Sequence, residues 1–334
     1  LEVGFGEGQQ IDLDAFTFDT STQDITLNAD ALTTGTHLSA SLKDLQKLGV
    51  DAVSISGMDN VSIELGAGGF QFNADGTTAA LPSFESADGQ DINVTLSTHG
   101  LEQVLQAADL ADAQGVDLRA LGIDNISVDL VNNAADNFAL QGSDFANALQ
   151  DLRSEGLSLS VNLDQQDVFA LGNLPGFSFD SQDQVSLDIT ADAANTAGTH
   201  LSTSLKDLQK LGIDAVNAVG DLDGNAVTVN SISLDLGNGV SFSALPEFGD
   251  MNNDGILSAL EDAALNVTLD VQFDQLLESI GSSSEANIQA LSAAGVDNIN
   301  VSLQSEDQLI QLLSGTGNLQ AIESQLVDSG LGLM

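Results

Sequence analysis

The chain has 334 residues, 42% of them apolar, with 50 acidic side chains against 6 basic ones and a formal net charge of −44. Apolar content on that scale builds cores, so the acidity does not mark a disordered polymer. The field it creates repels nucleic-acid backbones and anionic lipid headgroups and attracts cations. Cys is absent, so no disulfide forms, and no apolar run reaches the roughly 18–20 residues of a membrane span.

In chain order, the first predicted elements are a strand at Ile25-Thr26-Leu27 and a helix over residues 36–48. Leu38, Leu42, Leu45 and Leu48 fall at helical spacing, with Lys43, Asp44 and Lys47 on the other face. Gly49 stands where a helix C-terminus takes a left-handed residue, and Lys47 where a cation suits the helix dipole. Val53-Ser54-Ile55 then alternates as a half-buried strand, so the three elements read as a βαβ crossover. The pattern continues with a strand at Val94-Thr95-Leu96, a helix from Leu101 to Leu121 and a strand from Ile126 to Leu130. A helix from Asp144 to Glu155 ends at Gly156 and leads into a strand from Leu157 to Val161.

The chain then repeats itself. Gly35 to Gly49 returns almost letter for letter at Gly198 to Gly212, Ala80-Leu81-Pro82 at Ala244-Leu245-Pro246, and Asn93-Val94-Thr95-Leu96 at Asn266-Val267-Thr268-Leu269. Phe16-Thr17-Phe18-Asp19 has its counterpart in Phe177-Ser178-Phe179-Asp180. A Gly-(Val/Ile)-Asp signature recurs at Gly49, Gly122, Gly212 and Gly295, each time after a helical pattern and before an alternating run.

The expected fold class is α/β, with α+β the alternative: tandem strand-helix-strand modules with mixed sheets, stacked as an elongated array. Residues 1–23 are read as the end of a preceding repeat, 24–180 as the first module and 181–334 as a second, incomplete at its C-terminal end. Gly330 to Met334 aligns with Gly156 to Ser160, and Leu1 to Phe5 falls where that same strand is under way. Residue 1 is Leu and no signal sequence follows. The expectation is therefore a mature fragment or a window on something longer, whose copies either continue in one chain or associate head to tail.

Asp250-Met251-Asn252-Asn253-Asp254-Gly255-Ile256-Leu257-Ser258-Ala259-Leu260-Glu261 is the sharpest local motif. Oxygen ligands stand at positions 1, 3, 5 and 12, Gly at 6 and an apolar residue at 8, as in a calcium loop of the EF-hand or dockerin kind. Asp250, Asn252, Asp254 and Glu261 would supply side-chain oxygens to Ca2+, Ile256 its carbonyl, and Ser258 a direct or water-mediated contact. The loop lies in an insertion of nine residues relative to the first copy, so calcium is expected to stiffen one place and not to drive the fold. Asp221-Leu222-Asp223-Gly224-Asn225 could help to hold a second ion but reads better as a β-turn, and Asn73-Ala74-Asp75-Gly76 reads as a hairpin turn.

His37, His99 and His200 each fall at a presumed helix start and belong to no HExxH or His-rich cluster, so they are read as structural. No Cys nucleophile, GxSxG elbow, P-loop or GxGxxG is present. The abundant acids guarantee coincidental carboxylate pairs, but Tyr and Trp, the usual sugar platforms, are missing. No enzyme is expected.

Tandem modules, absent Cys, few basic residues, richness in Asp, Asn, Gly and Thr, and the loop at 250–261 together resemble the giant repetitive surface proteins and RTX-type adhesins of Gram-negative bacteria. The GGxGxDxUx nonapeptide of that group is absent here, and its extender domains are mostly β-sandwiches. The resemblance implies type I secretion, a place outside the cell or on its surface, and a stalk, fibre or filament role. Its partners would be neighbouring copies of itself head to tail, divalent cations and surface polysaccharide, with no nucleic acid and no membrane insertion. The competing expectation is a carbohydrate- or protein-binding module of a secreted protein, its site in the divergent segment 219–262.

Overall fold

Strands form where apolar and polar side chains alternate, and here their backbones pair in parallel. The structure is a computed structural model and describes residues 26–30, 36–38, 41–56, 60–66, 69–74, 78–87, 89, 91–112, 115–130, 138–190, 199–219, 231–251, 266–280, 284–314 and 318–333. The fold is α/β. By its internal contacts the chain divides into two units, Leu1–Asn162 and Leu163–Met334.

The first unit runs β1 (Thr26–Asp30), β2 (Thr36–Leu38), α1 (Leu42–Leu48), β3 (Ala52–Ser56), β4 (Asn60–Glu64), β5 (Ser83–Ser86) and β6 (Asn93–His99). It continues with α2 (Leu101–Asp112), β7 (Asn125–Asp129), α3 (Phe138–Ser154) and β8 (Ser158–Leu163). Strands β1, β3 and β5 neighbour one another in one row, and β2, β4, β6, β7 and β8 in another. The chain thus crosses from one row to the other with each early strand. Once the three-strand row is complete, α2 and α3 alternate with strands of the five-strand row and pack on each other.

The second unit has the same strand order with a different set of helices between the strands. After α4 (Gln165–Gly172) come β9 (Gln184–Thr190), β10 (Thr199–His200), α5 (Leu205–Leu211), β11 (Ala215–Val219), β12 (Ser231–Asp235) and β13 (Glu247–Met251). Then follow β14 (Asn266–Gln272), α6 (Phe273–Gln275) with a π-helical turn at Leu276–Ile280, α7 (Ser284–Ala293) and β15 (Asn298–Ser302). Last come α8 (Glu306–Ser314), α9 (Asn318–Asp328) and β16 (Gly332–Leu333). Strands β9, β11 and β13 form the three-strand row, and β10, β12, β14, β15 and β16 the five-strand row.

About thirty residues separate each strand from its neighbour, as Asn60, Asn93 and Asn125 show, a period typical of solenoid windings. Identical register then stacks like on like. Ile63, Leu96, Ile126 and Leu159 make one buried row, and Leu234, Leu269 and Ile299 another. Asparagines ladder in the same way: the Asn93 amide donates to Asn60 at 3.2 Å and that of Asn298 to Asn266 at 3.0 Å.

These ladders correct one expectation and bear out another. The sheets are not mixed: every pairing among the described strands is parallel, and the antiparallel contact is the isolated bridge Phe72↔Thr78. That bridge flanks the segment read as a hairpin turn at Asn73 to Gly76, of which Asp75 and Gly76 lie outside the described residues. The strand read at residues 25–27 is β1, which pairs in parallel with β3 after α1, so that strand-helix-strand reading holds, with short β2 of the other row standing before the helix. Leu38 belongs to β2 and not to the helix, which starts where Ser41 Oγ accepts the Asp44 N–H at 3.1 Å. In α5 the box is complete, Ser204 and Asp207 each capping the other's backbone N–H.

The four signature glycines all have positive φ: 66° at Gly49, 85° at Gly122, 82° at Gly212 and 93° at Gly295. Each closes a Schellman motif in which the next N–H returns to a Leu carbonyl five residues back, as Val50 does to Leu45 at 3.0 Å. At Gly122 the motif ends a turn and not the long helix expected, because α2 stops at Asp112 and Gly115 is left-handed. The Asp of the signature then latches one strand to the next. Asp124 donates its N–H to the Val94 carbonyl at 2.9 Å and accepts the Val94 N–H at 3.1 Å. Asp297 does the same with Val267, and Asp214 with Val185.

Candidate functional site

The calcium-loop residues fall almost wholly outside the described residues. Asp250 is the penultimate residue of β13, paired with Ala218, while Asn252, Asp254, Ile256, Ser258 and Glu261 lie beyond what the structure describes. So does the turn at Asp221 to Asn225.

The described residues bring chemistry together elsewhere, at the carboxyl ends of the five-strand rows. Loops at those ends form the binding crevices of open parallel α/β sheets. In the second unit, His200 ends β10 and pairs with Ser233, and Asp235 ends β12 and pairs with Asp270 of β14. Side chains two residues apart share a sheet face, so all three stand on the polar face, opposite buried Ile232, Leu234 and Leu269. Among the described residues they form the one trio of His, Asp or Glu whose donor atoms all lie within 4.8 Å of one another. His200 Nε2 is 3.7 Å from Asp270 Oδ2, with the two side chains 54% and 21% exposed. Asp270 Oδ1 accepts the Asn300 amide at 2.7 Å, which turns its other oxygen toward His200.

The first unit places a different trio at the same end. Glu64 ends β4, His99 ends β6 and Asp129 ends β7, with His99 paired to Asp129 and standing two residues beyond the partner of Glu64. Here the imidazole lies between the acids: Nε2 is 2.6 Å from Glu64 and Nδ1 3.5 Å from Asp129. Glu64 and Asp235 occupy equivalent register positions, whereas the position of Asp270 is taken by Ser97, whose hydroxyl meets that of Ser62 at 2.9 Å. One scaffold thus carries two different polar constellations.

His37 stands in β2 and His200 in β10, away from the helix starts expected, while His99 ends β6 two residues before α2 and donates its backbone N–H to Gln103 of that helix at 2.8 Å. The strand-end acids were missed because their partners lie about thirty residues away in sequence, where only register reveals them. A usable signal was present: Ser231 to Asp235 and Asn266 to Asp270 both alternate and both end on Asp.

Grooves are formed among the described residues of the second unit. One of about 580 Å³ runs along α7 and α9 past Glu285, Gln289, Gln325 and Asp328. A smaller one, about 170 Å³, lies between α4 and α5 with Phe169, 63% exposed, at its side. Of the titrating groups, Asp44 is displaced. Partial burial pushes its carboxyl up, but the Ser41 hydroxyl at 2.6 Å and the Lys47 ammonium at 3.1 Å prevail and hold it below the ordinary value.

A scan against protein-family models finds no match, and searches of curated proteins and of solved structures return no significant match. No described helix is long and apolar enough to cross a membrane.

Proposed function

We propose that the protein is a non-enzymatic, extracellular structural or adhesive repeat protein, one stretch of a surface stalk, fibre or filament. What supports this reading is that the parallel strand order of the first unit, and the Asp124 latch with it as Asp297, recur in the second. Gln46 and Gln209, at the same place in α1 and α5, each hold the loop before the Pro, donating to Ala79 at 3.0 Å and Ala244 at 2.7 Å, carbonyls one residue apart in the repeat. Repetition at this level serves length and stiffness, because each coil needs only its neighbours for stability. The acidic surface keeps such an array soluble and draws divalent cations to it. Partners are neighbouring copies stacked head to tail, with surface polysaccharide as the outer contact. Sedimentation of material from its native source tests the reading: an elongated or filamentous species is expected, and a compact single chain overturns it.

Calcium at Asp250, Asn252, Asp254, Ile256, Ser258 and Glu261 belongs to this proposal as a local stiffener. Calorimetry with Ca2+ should show one site, lost in Asp254→Ala, and a raised melting temperature by mass action. Absence of heat at millimolar Ca2+ removes calcium from the account.

A second reading, a carbohydrate- or protein-binding module, is favoured by the groove between α4 and α5. Exposed Phe169 lies beside Asn173, Ser202, Thr203 and Asp207, an apolar plate with hydrogen-bonding groups around it.

A further inference from the structure

We propose that His200, Asp235 and Asp270 bind one divalent transition-metal ion of the Zn2+ kind, a site separate from the calcium loop. The donor set is one imidazole nitrogen and two carboxylate oxygens, which suits Zn2+ better than Ca2+, an ion that takes oxygen alone. The geometry fits. An ion about 2.1 Å from each donor spans the 3.7 Å between His200 Nε2 and Asp270 Oδ2 at an angle of about 120°, close to tetrahedral. All three donor atoms lie within 4.8 Å of one another, and because two bonds of about 2.1 Å span at most about 4.2 Å, a small rotation of the exposed Asp235 side chain completes the site.

Two further features point the same way. Asp235 and Asp270 are directly opposed in register, and like charges so placed are destabilising in a sheet. Net charge of −44 raises that cost, and a cation between the two acids offsets it. Asn300, on the next strand, holds Asp270 by one oxygen and presents the other, as an outer-shell partner of a metal ligand does. The fourth position is left to water or to a donor from another molecule. The first-unit trio is arranged otherwise, with His99 Nε2 directly against Glu64 at 2.6 Å, so the ion is assigned to the second unit alone.

Zn2+ titrated calorimetrically into the whole chain, with the calcium loop saturated by millimolar Ca2+, tests the site. Wild type should take up one Zn2+ ahead of any diffuse binding to its acidic surface. His200→Ala should weaken that step about 100-fold, Asn300→Ala about 10-fold, and His99→Ala should leave it unchanged. Co2+ in place of Zn2+ should give a visible absorption band that His200→Ala abolishes. Equal titrations of wild type and His200→Ala overturn the assignment, as does loss of the step in His99→Ala. Circular dichroism confirms that each variant is folded before its titration is read.

Discussion

Gly122→Val should destabilise the first unit by about 3 kcal/mol or more, seen as a fall in the urea midpoint with little change in slope. Two effects add. At φ +85° a side chain other than glycine costs about 1–2 kcal/mol in the left-handed region. A Cβ there also lies 2.2 Å from the Phe84 carbonyl oxygen, which must move, and the Phe84 N–H is bonded to the Leu121 carbonyl at 2.7 Å. Backbone pushing against backbone finds no cheap relief. Gly89→Val separates the two effects, because Gly89 has φ +73° with nothing within 4 Å of the added atom. It should cost about 1 kcal/mol, the strain alone. Equal losses for the two variants would show that crowding at Phe84 is not what holds the turn to the strand.

Leu45→Ala and Leu208→Ala should each cost about 2–5 kcal/mol, and by similar amounts. Both side chains are fully buried and occupy the same place in α1 and α5, which share the sequence Leu-Lys-Asp-Leu-Gln-Lys-Leu. Each leucine also supplies the carbonyl that accepts the residue after the capping glycine, at 3.0 Å in both units. Similar surroundings give similar cavities, so the comparison measures how far the two units share one packing solution. Thermal unfolding of the two variants reads it, and a difference beyond about 2 kcal/mol would deny the equivalence.

Much of this fold was legible in the sequence because its signals are local. Ser41 and Ser204 three residues before an acid, leucines at helical spacing, and a glycine closing each turn mark α1 and α5 within a few residues. Period-two runs mark β6, β7, β14 and β15 equally well. What was not legible depends on partners distant in sequence. Leu38 lies at helical spacing from Leu42, and β2 and β10 span only three and two residues, too few to show a period of two. Alternation also does not say which row a strand joins, so the crossing between rows and the wholly parallel pairing were missed.

The candidate site was hidden for the same reason. His200 and Asp270 are ordinary polar residues until register sets β10, β12 and β14 side by side. The calcium loop shows the reverse case. Its twelve-residue spacing is plain in the sequence, while only Asp250 and Met251 of it fall among the described residues.

Electron microscopy of the protein purified from its native source tests the central claim most directly. The account predicts elongated particles or filaments in which the winding of one unit recurs along the axis, at a spacing set by the module. Compact single-chain particles without axial repetition would contradict it and leave the binding-module reading in its place.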